Sequence, residues 1–144
     1  MQQGYSLLLH GSNGVGKTWA SCAIAKEALK FTANVIYISM PTLIQVYIDR
    51  PRFSDDFTWE QVLANWHLLV LDDLGKEYRG SGSGHSENRI QALIRDRVQK
   101  LKSTVISTNL SLDDIEQTYG ESFASLVLEY EILHVPGYDL RRNK

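Results

Sequence analysis

The sequence predicts a parallel α/β sheet with helices packed on both faces, a three-layer α/β/α domain. Three observations carry this. Short apolar runs alternate with helical patterns along the whole chain. The run His67-Leu68-Leu69-Val70-Leu71 is continuously apolar, as suits a central strand covered on both faces, and it ends in Asp72 and Asp73. The run Tyr5 to His10 leads directly into Gly11-Ser12-Asn13-Gly14-Val15-Gly16-Lys17-Thr18 and then a helical pattern, the strand, loop, helix order that a phosphate-binding loop requires.

At 144 residues the chain is expected to form one domain, residues 1–144, burying about two thirds of its unfolded surface in a single core. With 43% hydrophobic and 22% charged residues it reads as a globular protein, and no apolar run reaches the ~18 residues of a membrane span. The first residues lack a basic stretch followed by an apolar one, so no leader is expected. The single cysteine, Cys22, has no internal partner, which points to a reducing, cytoplasmic setting. A net charge of -2 gives no global pull towards nucleic acid, so any DNA contact has to be local and is expected to be weak.

In chain order, a first strand over 5–10 precedes the loop, and a helix over 19–31 follows it. The β-branched run Asn34 to Ser39 predicts a second strand. Pro41 suits the first turn of a short helix reaching Ile48. Residues 49–57 are charged and without period, which predicts a loop. Thr58 with Gln61 resembles a capping box opening a short helix that carries Trp59 and Leu63. The third strand is 67–73. Gly80-Ser81-Gly82-Ser83-Gly84 sits within a linker-like stretch, 75–86. An amphipathic helix is predicted over 87–101, with Ile90, Leu93, Ile94, Val98 and Leu101 inward and Arg89, Arg95 and Lys100 outward. That cationic face is either solvated or a DNA or subunit contact. The fourth strand is 104–109. Ser111 and Asp114 form a capping-box pattern for a helix to Tyr119, and a helix over 121–129 leads to a fifth strand over 132–135.

The chemistry follows from where these motifs fall. Ligands of parallel sheets bind beyond the carboxyl ends of the strands, and both the loop and the two acids lie there. The glycines Gly11, Gly14 and Gly16 let backbone N–H groups turn inward, and with the following helix N-terminus they suit a polyphosphate. The residues expected to hold the polyphosphate ligand are Gly11, Ser12, Asn13, Gly14, Val15, Gly16, Lys17, Thr18 and Trp19. Lys17 supplies an ammonium for the β- and γ-phosphates. Thr18 and Asp72 supply oxygen for Mg²⁺, directly and through a bound water. Asp73 is placed to orient or deprotonate the attacking water, and Asn109 to donate to a γ-phosphate oxygen or to that water.

With Leu-Val-Leu-Asp-Asp-Leu-Gly-Lys-Glu, Val-Ile-Ser-Thr-Asn-Leu and Gly-Tyr-Asp-Leu-Arg-Arg following the loop in this order, the chain resembles the AAA+ ATPases of the DnaC/DnaI/IstB group, replicative helicase loaders and transposition helper ATPases. The resemblance runs from Leu7 to Arg142. It implies an AAA+ type, five-stranded P-loop NTPase fold that hydrolyses ATP with Mg²⁺. Asp72 and Asp73 take the place of the Walker B acids, Asn109 that of the sensor on the γ-phosphate, and Arg141 that of a second sensor. The resemblance further implies an oligomeric ring or spiral, a replicative helicase as partner, and contact with single-stranded DNA.

Two departures stand out. The group continues Tyr-Gly-Glu with an arginine and places another four residues on, one of which enters a neighbour's site; here these positions are Ser122 and Leu126. Arg79, Arg95 and Arg97 are the candidate substitutes. The N-terminal module through which loaders grip a helicase is also missing from this stretch, so it reads as the ATPase part of a longer protein. Two function classes remain open: a hydrolysing ATPase of loader or transposition-helper type, and a nucleotide-gated binding module with negligible turnover.

Overall fold

The computed structural model describes residues 4–48, 63–76 and 83–142. Five parallel strands form one sheet in the order β2-β3-β4-β1-β5. The strands are β1 (Leu7–His10), β2 (Val35–Ser39), β3 (Leu68–Leu74), β4 (Ser103–Thr108) and β5 (Glu131–His134). The helices are α1 (Lys17–Ala28), α2 (Met40–Ile48), α3 (Ser83–Gln99), α4 (Leu112–Tyr119) and α5 (Glu121–Val127). No helix among the described residues is long and apolar enough to cross a membrane.

The continuous apolar run is central. Leu68, Leu69, Val70 and Leu71 are all buried, β2 pairs on one side of β3 and β4 on the other. Alternation along the strand divides its side chains between two cores. Leu69 and Leu71 join Met40, Leu43, Ile90, Ile94, Ile115 and Phe123 beneath α2, α3, α4 and α5. Leu68 and Val70 join Leu9, Ala25 and Val105 beneath α1. Burial of these side chains contributes on the order of 25 cal/mol per Å² of apolar surface, the main term that holds the sheet between its helices.

Several boundaries differ from the sequence expectation for identifiable reasons. Helix α3 begins at Ser83, four residues before the expected Glu87, because a glycine weakens a helical turn without forbidding it. It ends at Gln99 rather than Leu101. Leu101 takes a left-handed φ of 53°, its N–H bonds to Val98 O and the next N–H, of Lys102, to Arg97 O, a Schellman stop built without glycine. Leu101 is therefore 57% exposed instead of inward. Helix α1 ends at Ala28, and the strands shift by a residue or two. The capping box at α4 forms as the pattern suggests: Asp114 N donates to Ser111 Oγ at 3.1 Å and Ser111 N to Asp114 Oδ2 at 3.2 Å. The Ser111 hydroxyl, which donates to Asp114 Oδ2 at 2.7 Å, and next the Ser111 N–H hold the Asp114 carboxyl below its ordinary pKa. The helix expected from Thr58, with Trp59, begins outside the described residues, as do Gly80, Ser81 and Gly82 of the expected linker.

Candidate functional site at the carboxyl end of the sheet

The loop between β1 and α1, the end of β3 and the end of β4 meet at one edge of the sheet. Gly14 and Gly16 have φ of 77° and 100°, conformations that residues with a Cβ rarely adopt. Gly16 is the N-cap of α1 and has no side chain to cap it, so the first N–H groups of that helix are left for another acceptor. Lys17 is 5% exposed, and its ammonium folds back to donate to Gly11 O at 2.9 Å and Ser12 O at 2.6 Å. Burial lowers its pKa; Lys76 and Arg141 add to this, and Asp73 and Asp72 oppose it. The ammonium thus sits within the field of both acids and of the C-terminal arginine.

Asp72 is 4% exposed and accepts hydroxyl hydrogen bonds from three elements. Thr18 Oγ1 of α1 donates to Oδ2 at 3.0 Å, Tyr37 of β2 donates to the same oxygen at 2.6 Å, and Ser107 of β4 donates to Oδ1. The Ser107 hydroxyl also accepts from Asp73 N at 3.0 Å, so one serine on β4 holds both acids. Asp73 adopts a left-handed φ of 62° where the β3–β4 register shifts, between Leu71 and Leu74. Such a conformation is costly for a residue other than glycine, and here it coincides with the end of the strand at the site. Its carboxylate pairs with Lys76 Nζ at 2.9 Å.

The C-terminal segment lies along the loop. Val135 N donates to His10 O at 2.8 Å and Leu140 N to Gly14 O at 3.1 Å. A Cβ on Gly14 would come within 1.9 Å of Asp139 Oδ1 and 3.1 Å of Asp139 Cα, so that loop residue has no room for a side chain. Arg141 is exposed on this segment, next but one to Asp139, whose Oδ1 accepts from Arg141 N at 3.0 Å. On the strands below, the His10 and His134 rings stand 4.9 Å apart, and burial, His134 and Lys17 lower the pKa of His10.

The structure brings Gly11, Ser12, Gly14, Gly16, Lys17, Thr18, Asp72 and Asp73 together, with Arg141 close to Lys17 in charge. Val15 is buried against Gly137, behind the loop. Asn13 is exposed at the loop's tip, and Trp19 is 77% exposed on α1. Asn109 is half-buried just beyond β4, after Thr108, whose hydroxyl bonds to Leu74 O at 2.8 Å and accepts from Leu110 N at 3.0 Å. Tyr37 belongs to none of the motifs that mark the site in the sequence, and Ser107 lies inside one, Val-Ile-Ser-Thr-Asn-Leu, whose site residue is Asn109. The one signal for Tyr37 is a phenol in an otherwise aliphatic strand two positions before its carboxyl end, and for Ser107 its place two residues before Asn109 on a strand that ends at the site.

Of the three arginines expected to substitute at the Ser122 and Leu126 positions, Arg97 is a correction. It is fully buried at the amino end of the sheet, the far side from the loop, and donates to Thr104 Oγ1 at 2.9 Å, to Trp66 O at 3.1 Å and to the carbonyls of Leu63 and Ser103. Burial lowers its pKa to about 10, so it remains a cation at neutral pH, held by carbonyls and unable to reach a neighbour. Arg79 lies outside the described residues. Arg95 is exposed, and its Nη2 donates to Ser122 Oγ at 3.1 Å, which sets a guanidinium at one of the two altered positions. Leu126 packs against the core.

The sequence model of the family described as IstB-like ATP binding protein matches residues 1–136. The chain belongs to that family. This IstB-like chain is 26% identical over 145 residues to the putative insertion sequence ATP-binding protein y4pL of Sinorhizobium fredii, covering 96% of this chain and 58% of that one. It is 30% identical to the replicative helicase loader DnaI of Bacillus subtilis over 83% of this chain and 38% of DnaI. Among solved structures, a DnaC helicase loader superposes with a TM-score of 0.77 at 30% identity, over 94% of this chain and 80% of that one. The IstB-like chain spans about half the length of the curated relatives it matches. Its five-stranded parallel sheet is the AAA+ P-loop fold of these neighbours.

Proposed function

We propose that this chain is the ATP-hydrolysing domain of a DNA-transaction ATPase, working in the cytoplasm as an oligomer. The observation that carries the reading is the convergence of Lys17, Thr18, Asp72 and Asp73 at the carboxyl end of the sheet, with Thr18 Oγ1 and Asp72 Oδ2 only 3.0 Å apart. These are hard oxygen donors, the set that suits Mg²⁺ with part of its water shell retained. Lys17, Gly14, Gly16 and the start of α1 would hold the phosphates of ATP, with Asn13 and Trp19 at the rim. When bound, the metal neutralises phosphate charge. Asp73 orients the attacking water, Asn109 donates to the γ-phosphate or to that water, and Arg141 adds charge from the C-terminal segment.

The similarity to the helicase loaders DnaI and DnaC supports a replicative helicase as partner, and the similarity to y4pL supports the transposition-helper alternative. Single-stranded DNA, bound weakly, is proposed from the resemblance in sequence. Arg95 at Ser122 supports a substitute trans arginine, a feature worth about 10³ to 10⁵ in rate where it operates. The second reading, a nucleotide-gated module with negligible turnover, is favoured by Leu126, which packs inward where an exposed cation would stand.

The test is Asp73→Asn. The variant is expected to retain ATP and hydrolyse it at least about tenfold more slowly. Equal turnover would remove Asp73 from its role, and negligible turnover by the unaltered chain would select the switch.

A further inference from the structure

Tyr37 stands on β2 opposite Val70 of β3, and Asp72 lies two residues beyond Val70 on the same face of that strand. Two residues of strand advance the chain by about 6.6 Å. A tyrosine side chain laid along the sheet spans that interval, and its hydroxyl arrives 2.6 Å from Asp72 Oδ2. Serine or threonine at the same position would fall short, and phenylalanine would arrive without a donor.

The bond acts on the orientation of the carboxylate. Ser107 holds Oδ1, and Thr18 and Tyr37 share Oδ2. A carboxylate oxygen has two acceptor directions. Tyr37 fills one direction of Oδ2 and Thr18 the other. A threonine hydroxyl that held a metal through an oxygen lone pair would keep its O–H, so both bonds would persist beside the metal. Oδ1, held by Ser107, keeps one direction for a metal-bound water. Tyr37 and Ser107, which are not metal donors, fix the rotamer. Burial, the hydrogen bond to Asp72 and the neighbouring Cys22, one helical turn after Thr18, all push the phenol's pKa upward, so it stays a donor throughout the neutral range.

We propose that Tyr37 is a positioning residue that holds Asp72 facing the metal, and that it sets the affinity of the site for Mg²⁺ rather than for the nucleotide. This rests on the Mg²⁺–ATP reading above. The test titrates a fluorescent ATP analogue into the chain and Tyr37→Phe, with EDTA and across a range of MgCl₂. In EDTA the two are expected to bind the analogue within about twofold of each other, which also shows the variant is folded. The Mg²⁺ needed for half-maximal enhancement is expected to rise about threefold to tenfold, less than the one to two decades of a full charge-assisted hydrogen bond because Ser107 and Thr18 still hold the carboxylate, with excess Mg²⁺ restoring most of the effect. An unchanged Mg²⁺ requirement, or an equal loss in EDTA and in Mg²⁺, would overturn the assignment of Tyr37. If the unaltered chain binds the analogue with no response to Mg²⁺, the metal site itself fails, and the assignment with it.

Discussion

Lys17 has the most to exchange when a ligand arrives. Its ammonium is buried and already bonded to the carbonyls of Gly11 and Ser12, so a phosphate has to replace good bonds with better ones. Charge-assisted bonds of this kind contribute about 1.5–3 kcal/mol. Lys17→Ala is therefore expected to weaken ATP binding by about one to two decades in an equilibrium titration, and an unchanged affinity would show that the phosphates lie elsewhere. At this scale the sequence was most legible where backbone geometry dictates residue type. A left-handed φ at Gly14 and Gly16 demands glycine, and the spacing of the loop follows from it. Tyr37 and Ser107 were illegible because their roles depend on strand register and side-chain reach, neither of which leaves a local pattern. Asp73 was visible as an acid, but not its left-handed backbone.

Among the elements, α3 joins a legible face to an illegible one. Its apolar stripe gave Ile90, Leu93 and Ile94 their inward places. Arg97 lies three residues past Ile94, and nothing in its type indicates burial, because an arginine is ordinarily exposed unless its donors are satisfied. The structure supplies the partners: the 63–67 segment that leads into β3 and the start of β4 offer carbonyls and a hydroxyl at the spacing of the guanidinium fork. Arg97 thus ties three elements at the amino end of the sheet. Arg97→Met leaves several buried acceptors without donors, each costing about 1–3 kcal/mol, so a loss of at least about 3 kcal/mol is expected in urea unfolding. A change below about 1 kcal/mol would mean that water satisfies the carbonyls. Leu101 shows the other limit: a hydrophobic residue at helical spacing extends the predicted helix, yet the Schellman bonds stop it two residues earlier.

The whole molecule divides its labour between the two ends of one sheet. The amino end carries the Arg97 junction, and the carboxyl end carries the loop, the acids, Asn109 and the C-terminal segment. Alternating apolar runs and helical patterns made the layers and the five strands readable, while the strand order β2-β3-β4-β1-β5 emerged only from the structure. A trans arginine would complete the site between copies, so turnover per chain is expected to rise with protein concentration and to lose that rise in Arg95→Ala. Concentration dependence unaffected by the substitution would leave Arg95 as a surface residue held by Ser122.

Every role proposed for these residues depends on a Mg²⁺–ATP site that turns over. Steady-state ATP hydrolysis by the chain over a range of protein concentrations, with and without single-stranded DNA and beside a direct ATP-binding measurement, tests it most directly. The predicted result is one ATP bound per chain, with turnover that rises with concentration. ATP bound without turnover at any protein concentration would contradict it and select the switch, and no binding at millimolar nucleotide with Mg²⁺ present would remove the site altogether.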